Sequence, residues 1–298
     1  MASPASPSQP AELRAAIGTY PHTRPLKEGA VGSALLRLHF ADVPAITSAF
    51  APMVRELRFD VSEMAVATFL QARACNRPLV LLPVVLTARF QQSALLCRAD
   101  SEIRGVADLV GRRVGVRAYS QTTGMWLRGI MAEEGGPRAE AIRWVTFEDA
   151  HVAEIRDPPW AERAAPGQDM LAMLRAGALD AAIVGSDAPA DPALRTVYPD
   201  PDAAAAAFWQ RHRLVPVNHM VAVRRELAER RPELVAELLR LFAAAGAMVP
   251  DSRGARRGGR EALRPVLELA LHYMAGQRML PRPLSLDEIW DGLPPGLG

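Results

Sequence analysis

"GVADLVGRRVGVR", residues 105–117, carries a short helix-like apolar segment through Gly111 into the strand "RRVGVR". The next residues, "AYSQTTG" (118–124), read as a polar turn, and residues 123–134 as a helix leading to the strand "IRWVTF" (142–147). Strand, helix, strand in this order is a βαβ unit, which builds a sheet with helices on its faces. Upstream, "SALLCR" (93–98) adds a strand. Downstream, a long polar loop, the helix "DMLAMLRAG" (169–177) and the strand "LDAAIVG" (179–185) extend the block.

A second block of the same kind precedes it. After a Pro/Ser tail over residues 1–12, expected to be disordered, come the strand "LRAAIG", the turn "TYPHTRPLKEG" (19–29) and the strand "SALLRLHF". "DVPAITSAFAPMVREL" (42–57) reads as a helix with Asp42 as N-cap. The strand "LRFDV", a helix over 63–74 and the strand "LVLLPVVL" (79–86) follow. Past residue 185 the Pro- and Asp-rich "SDAPADPALRTVYPDPD" leads to a strand "VNHMVAVRREL" (217–227) and helices near 233–247, 261–275 and 285–291. We therefore expect an α/β protein with mostly parallel sheets in two lobes. The first takes residues 13–88 and 222–298, and the second 89–221.

Composition narrows the partners. Of 298 residues 49% are apolar and 23% charged, which suits a globular chain. A net charge of +2 offers no electrostatic hold on nucleic acid or an anionic membrane. Lys27 is the only lysine, which we read as a coding bias toward arginine. The arginines of "SRGARRGGR" (252–260) then read as a solvated loop, with phosphate binding as the alternative. Cys75 and Cys97 have no partner spacing for a disulfide framework or zinc site, and no cofactor is expected. "MASPASPSQP" has neither a basic n-region nor an apolar h-region, and "LVLLPVVL" is too short to span a bilayer, so a cytoplasmic location is expected. A homo-oligomer is compatible with all of this.

"GVADLVGRRVGVR" with "MLRAGALDAAIVG" (173–185) resembles the second lobe of type 2 periplasmic-binding-protein folds. More narrowly, "HTRPL" (22–26), "FDVSEM" (59–64), "AYSQTTGMWLRGIM" (118–131) and "VPVNHMVAV" (215–223) are similar, in this order, to 4,5-dihydroxyphthalate decarboxylases and their close relatives. The resemblance implies a cleft between two lobes, a small aromatic carboxylate as ligand, and non-oxidative loss of CO2 from a dihydroxylated aromatic diacid. Many relatives are described only as solute-binding proteins, so a receptor of an ABC-type transport system is the alternative. Where that family leads us to expect an "FRHS"-like stretch, this chain has "FQQS" (90–93); if Gln91 and Gln92 face the cleft, they imply a less anionic substrate.

Such chemistry needs an acid, a cation and a dry pocket. Arg24, on a turn after the first strand, is the candidate cation, the alternative being a surface arginine. Thr122 and Thr123 open a helix whose N-terminus suits an anion, or one of them caps it. Tyr119 stacks on the substrate ring or packs as a lid. His219 is the candidate proton carrier and Asn218 its orienter or a ligand contact, the alternatives being a hydrogen-bonded core histidine and a strand-end bond. Ser62 and Glu63 read as a helix start, Ser62 capping and Glu63 favoured by the dipole; at the cleft rim Ser62 would also bind ligand and Glu63 would hold a catechol hydroxyl. His151, near Glu148, Asp149 and Glu154, reads as solvated rather than as a metal ligand, and no metal is expected. A bound ligand is expected to close the cleft by hinge motion.

Overall fold

The computed structural model describes residues 9–185, 190–250 and 258–297. The N-terminal segment comprises β1 (Ala11–Ala16), α1 (Arg24–Lys27), β2 (Leu36–Phe40), α2 (Phe50–Glu56), β3 (Val61–Ala65), α3 (Val66–Ala74) and β4 (Leu79–Ala88). The middle comprises β5 (Leu95–Arg98), β6 (Arg113–Val116), α4 (Thr122–Glu133), β7 (Arg143–Thr146), β8 (Ala161–Arg163), α5 (Met170–Arg175), β9 (Ala181–Ile183), β10 (Leu194–Thr196) and α6 (Pro201–His212). The chain closes with β11 (Val217–Arg224), α7 (Arg225–Arg230), α8 (Pro232–Ala244), α9 (Arg260–Gly276) and α10 (Leu286–Ile289).

Two sheets result, with strand orders β2-β1-β3-β11-β4 and β10-β5-β9-β6-β7-β8. Both are mixed rather than mostly parallel. In the first, β11 runs antiparallel to β3 and β4, because it re-enters from the second lobe at the opposite end. In the second, β5 pairs antiparallel with β9 and β10. The return into the first sheet begins at Val217, ahead of the expected boundary after residue 221.

A large core unites the facing sides of both sheets, from Met64 and Met220 to Val114 and Ile183, while α7 and α8 cover the outer face of the first sheet and α5 that of the second. At its centre, every residue of α3 is buried, including Thr68, Gln71 and Arg73. Arg73 is made tolerable there by Asp291 and by the carbonyls of Leu79 and Asp291.

Three local readings are corrected. Residues 42–57 do not form one helix: Ala45 is extended (φ −146°, ψ 143°), a 3-10 turn spans Ile46–Ala49, and α2 follows, so Asp42 caps nothing. The Pro/Asp-rich run hides α6, whose Asp200 side chain accepts from the Ala203 N–H and whose first residue is Pro201. β1 takes in Ala11 and Glu12, which fall within the expected tail; residues 1–8 lie outside the described residues. So do Arg253, Arg256 and Arg257, while the Arg260 guanidinium sits 5.7 Å from the Trp290 ring.

Candidate active site

The site grows from the pairing of β3 with β11. Glu63 faces Val221 and Ala65 faces His219, so Glu63 and His219 are diagonal neighbours on one face, within reach of long side chains. The register between β11 and β4 shifts on both sides of His219, and such irregularities re-aim a side chain. His219 Nδ1 lies 2.6 Å from Glu63 Oε1. The Glu63 carboxylate is 0% exposed and also accepts the Gly18 N–H at Oε2 (2.8 Å) and the Tyr20 hydroxyl at Oε1 (2.7 Å). Those donors offset the cost of taking a carboxylate out of water.

Tyr20 owes its place to the turn around "HTRPL". The buried Thr23 hydroxyl accepts the Tyr20 N–H (2.8 Å) and donates to the Gly18 carbonyl (2.7 Å). A Cβ on Gly18 would lie 2.6 Å from the Tyr20 oxygen, so glycine is required for this approach. Burial first, then the neighbouring Glu63 charge, pushes the Tyr20 phenol far above the ordinary tyrosine range, so it remains a donor.

His219, 19% exposed, forms part of the wall of a cavity of about 370 Å³ between the sheets. That volume is at the small end of ligand pockets and suits a single aromatic ring. The wall also includes Thr122 and Thr123, the first residues of α4. Arg89 Nη2 donates to Thr123 Oγ1 (3.2 Å), and Arg117, the residue after β6, pairs with Glu148 (3.3 Å). Both arginines line the cavity, giving it cationic character. Among the described residues, the Thr87 hydroxyl and the Gln121 Oε1, both on the wall, find no hydrogen-bond partner.

His151 lines the same cavity. Its Nδ1 meets Thr68 Oγ1 (2.8 Å) and its carbonyl accepts from Arg55 Nε (2.8 Å). Burial first, then the charges of Arg117, Arg55 and His219, lowers its pKa to about 4, so the ring is neutral at ordinary pH. The acids near it in sequence turn elsewhere: Glu148 to Arg117, Asp149 to Arg163 and Glu154 to Arg77. No three His, Cys, Asp or Glu side chains among the described residues form a group able to hold a metal ion.

The structure brings His219, Asn218, Thr122 and Thr123 to the cavity wall. Ser62 and Glu63 lie one layer behind it, on a strand rather than at a helix start, and the Ser62 hydroxyl donates to the Glu63 carbonyl (2.7 Å) instead of capping. The threonines do not cap α4 either; Gln121 occupies that position, and Thr122 Oγ1 accepts the Ala67 N–H. Arg24 is away from the cavity, its side chain 60% exposed and 3.9 Å from Glu28. Tyr119 is buried against Arg128, whose guanidinium lies 4.0 Å from its ring, and does not reach the wall. Gln91 and Gln92 are buried behind the wall, where the Gln91 amide donates to Asn218 Oδ1 (2.8 Å) and so sets its orientation. Arg117 was findable from its place at the carboxyl end of a strand. His151 was not, because Thr68 and Arg55, which position it, lie far away in sequence.

Two mixed α/β sheets enclosing one cleft define a two-lobed protein of the periplasmic-binding-protein-like fold. The aliphatic sulphonate binding protein SsuA of Escherichia coli superposes with a TM-score of 0.56 at 16% identity, over 96% of this chain and 99% of that one. The desulfurization enzyme DSZB does so with a TM-score of 0.54 at 16% identity, over 96% and 97%. No family model matches the chain. It is 30% identical over 245 residues to the 4,5-dihydroxyphthalate decarboxylase of Comamonas testosteroni, covering 78% of this chain and 73% of the relative. The enzyme of the same name from Pseudomonas putida is 27% identical over 212 residues, covering 66% and 81%. The chain belongs to the 4,5-dihydroxyphthalate decarboxylase family.

Proposed function

We propose that the protein removes CO2, without oxidation, from a dihydroxylated aromatic diacid like 4,5-dihydroxyphthalate. The observation that carries this reading is the pairing of His219 with the buried Glu63 at the wall of a cationic, ring-sized cavity. With Nδ1 held by Glu63, Nε2 is the ring nitrogen left for substrate, and the protonated imidazole can deliver its proton to the carbon that bears the carboxylate. The hydroxyl para to that carbon feeds electrons into the ring. The bond to the carboxylate then breaks, its electron pair restores the aromatic ring, CO2 leaves, and neutral His219 regains a proton from water.

Glu63 acts in this scheme as a positioning residue, fully covered and bonded to His219, rather than as the holder of a substrate hydroxyl. Arg89 and Arg117 take the carboxylates, and the N-terminus of α4 adds its dipole. Thr87 and Gln121 offer partners for the ring hydroxyls. The test is incubation of purified protein with a panel of aromatic diacids, reading CO2 release and thermal shift together. Release of CO2 from a dihydroxylated diacid is expected; a thermal shift with no CO2 from any member would instead favour a solute-binding protein.

A further inference from the structure

We infer that His151 is a second catalytic residue, accepting the hydrogen of the ring hydroxyl para to the departing carboxylate while His219 acts at the carboxylate-bearing carbon. This rests on the decarboxylase reading above. The two reacting positions lie at opposite ends of a benzene ring, so the groups that serve them must face one another across a ring-wide space. His219 and His151 are the two imidazoles on the wall of the ring-sized cavity. Both line the cavity, and both meet the same Phe50 ring edge-on, at centroid distances of 5.1 and 5.6 Å and interplanar angles of 81° and 84°.

What holds each imidazole sets its part. His219 has a carboxylate at Nδ1, so its Nδ1–H donates there and Nε2 is the nitrogen that serves the substrate. His151 has only the Thr68 hydroxyl at Nδ1; with Nδ1–H donating to it, the Nε2 lone pair is left to accept. Arg55 fixes the backbone beneath the ring through the carbonyls of Ala150 (2.7 Å) and His151 (2.8 Å). Glu148 and Asp149 also stand near His151 but are paired with Arg117 and Arg163, and burial with the charges of Arg117, Arg55 and His219 lowers its pKa.

So weak a base leaves the hydroxyl of the resting substrate protonated. Once His219 has protonated the ring carbon, positive charge reaches the para oxygen and its O–H becomes a strong acid. His151 Nε2 then takes that proton, giving a neutral dienone. Loss of CO2 returns the bonding pair to the ring as a phenolate, which recovers the proton from His151. Atoms and charge balance without a further reactant.

The experiment compares binding of 4,5-dihydroxyphthalate and of phthalate, which lacks both hydroxyls, to wild type and His151→Phe by calorimetry, with turnover measured alongside. His151→Phe is expected to weaken the dihydroxy acid about tenfold and phthalate by less than about twofold. Equal losses for both acids, or no loss for either, would overturn the inference. His151→Gln covers the case in which His151→Phe does not fold. Its amide oxygen still accepts the hydroxyl hydrogen but cannot take the proton, so selectivity persists while kcat falls about a hundredfold. An unchanged kcat in that variant would be equally fatal. If wild type binds the diacid without releasing CO2, the proposed function fails and the inference with it, whatever the variants do.

Discussion

Among the cations, position decides which ones meet an anion. Arg24 extends into solvent beside Glu28, and an exposed pair of this kind contributes little. We expect Arg24→Ala to leave the affinity for an aromatic diacid within about twofold of wild type and Arg117→Ala to lower it about tenfold or more. Calorimetry showing the reverse order would remove Arg117 from the site. For His219, Asn keeps a donor toward Glu63 but carries no proton. We expect His219→Asn to lower kcat about a hundredfold with little change in melting temperature; a stability loss with the rate retained would make the residue structural. His151 gives a pH signature. Its pKa is about 4 when folded and 6.5 when the ring is free in water, so between these values the unfolded chain binds more protons. Stability is therefore lost as pH falls from about 6.5 toward 4, by at most about 3 kcal/mol from this group. Denaturant melts of wild type and His151→Gln across that range should differ in slope, and parallel curves would refute the assignment.

The β3–α3 junction shows where sequence reading stops. The alternation of strands and helices is legible because hydrophobic period and turn residues are local signals. "FDVSEM" followed by "AVATFLQAR" looks like a helix start for the same local reasons, yet the strand continues to Ala65. Pairing with β11 along the whole of β3, and the donors Gly18, Tyr20 and His219 on Glu63, outweigh the helix preference. None of those partners lies near in sequence. The motif thus marks the right neighbourhood, while the depth of Ser62 and Glu63 behind the wall depends on contacts that only folding supplies. Arg24 and Tyr119 stand in site motifs but miss the wall in opposite ways: Arg24 points to solvent beside the buried Thr23, and Tyr119 is buried against Arg128 behind it. We expect Glu63→Gln to cost roughly 1–3 kcal/mol of stability, since an amide cannot accept from every donor that the carboxylate serves. The same change should lower kcat through misorientation of His219. Wild-type kcat in a folded Glu63→Gln protein would show that the pair does not position the histidine.

The lobes are joined by more than their crossovers. α4 follows a strand of the second sheet, yet its side chains bond to elements of the first lobe. The Trp126 indole donates to the Val217 carbonyl of β11 (2.8 Å), and Thr122 Oγ1 accepts the Ala67 N–H of α3 (3.2 Å). The buried Arg128 donates to Gln277 Oε1 (2.7 Å), while Gln277 Nε2 donates to the Met125 carbonyl (2.8 Å). Gly129 lets the Tyr273 ring of α9 press against α4, where a Cβ would stand 2.1 Å from it. Opening the cleft widely would break these bonds and strand the Arg128 charge, whose burial already lowers its pKa. Hinge closure on ligand binding, expected from two lobes alone, is therefore expected to be small. Small-angle scattering of wild type should change little on saturation with a diacid. Gln277→Ala removes the acceptor of Arg128 and the donor to Met125, at a cost of roughly 2–4 kcal/mol, and should give a more open free form that contracts when ligand binds. A wild-type curve that is open without ligand and contracts strongly with it would show that these bonds form only in the bound state.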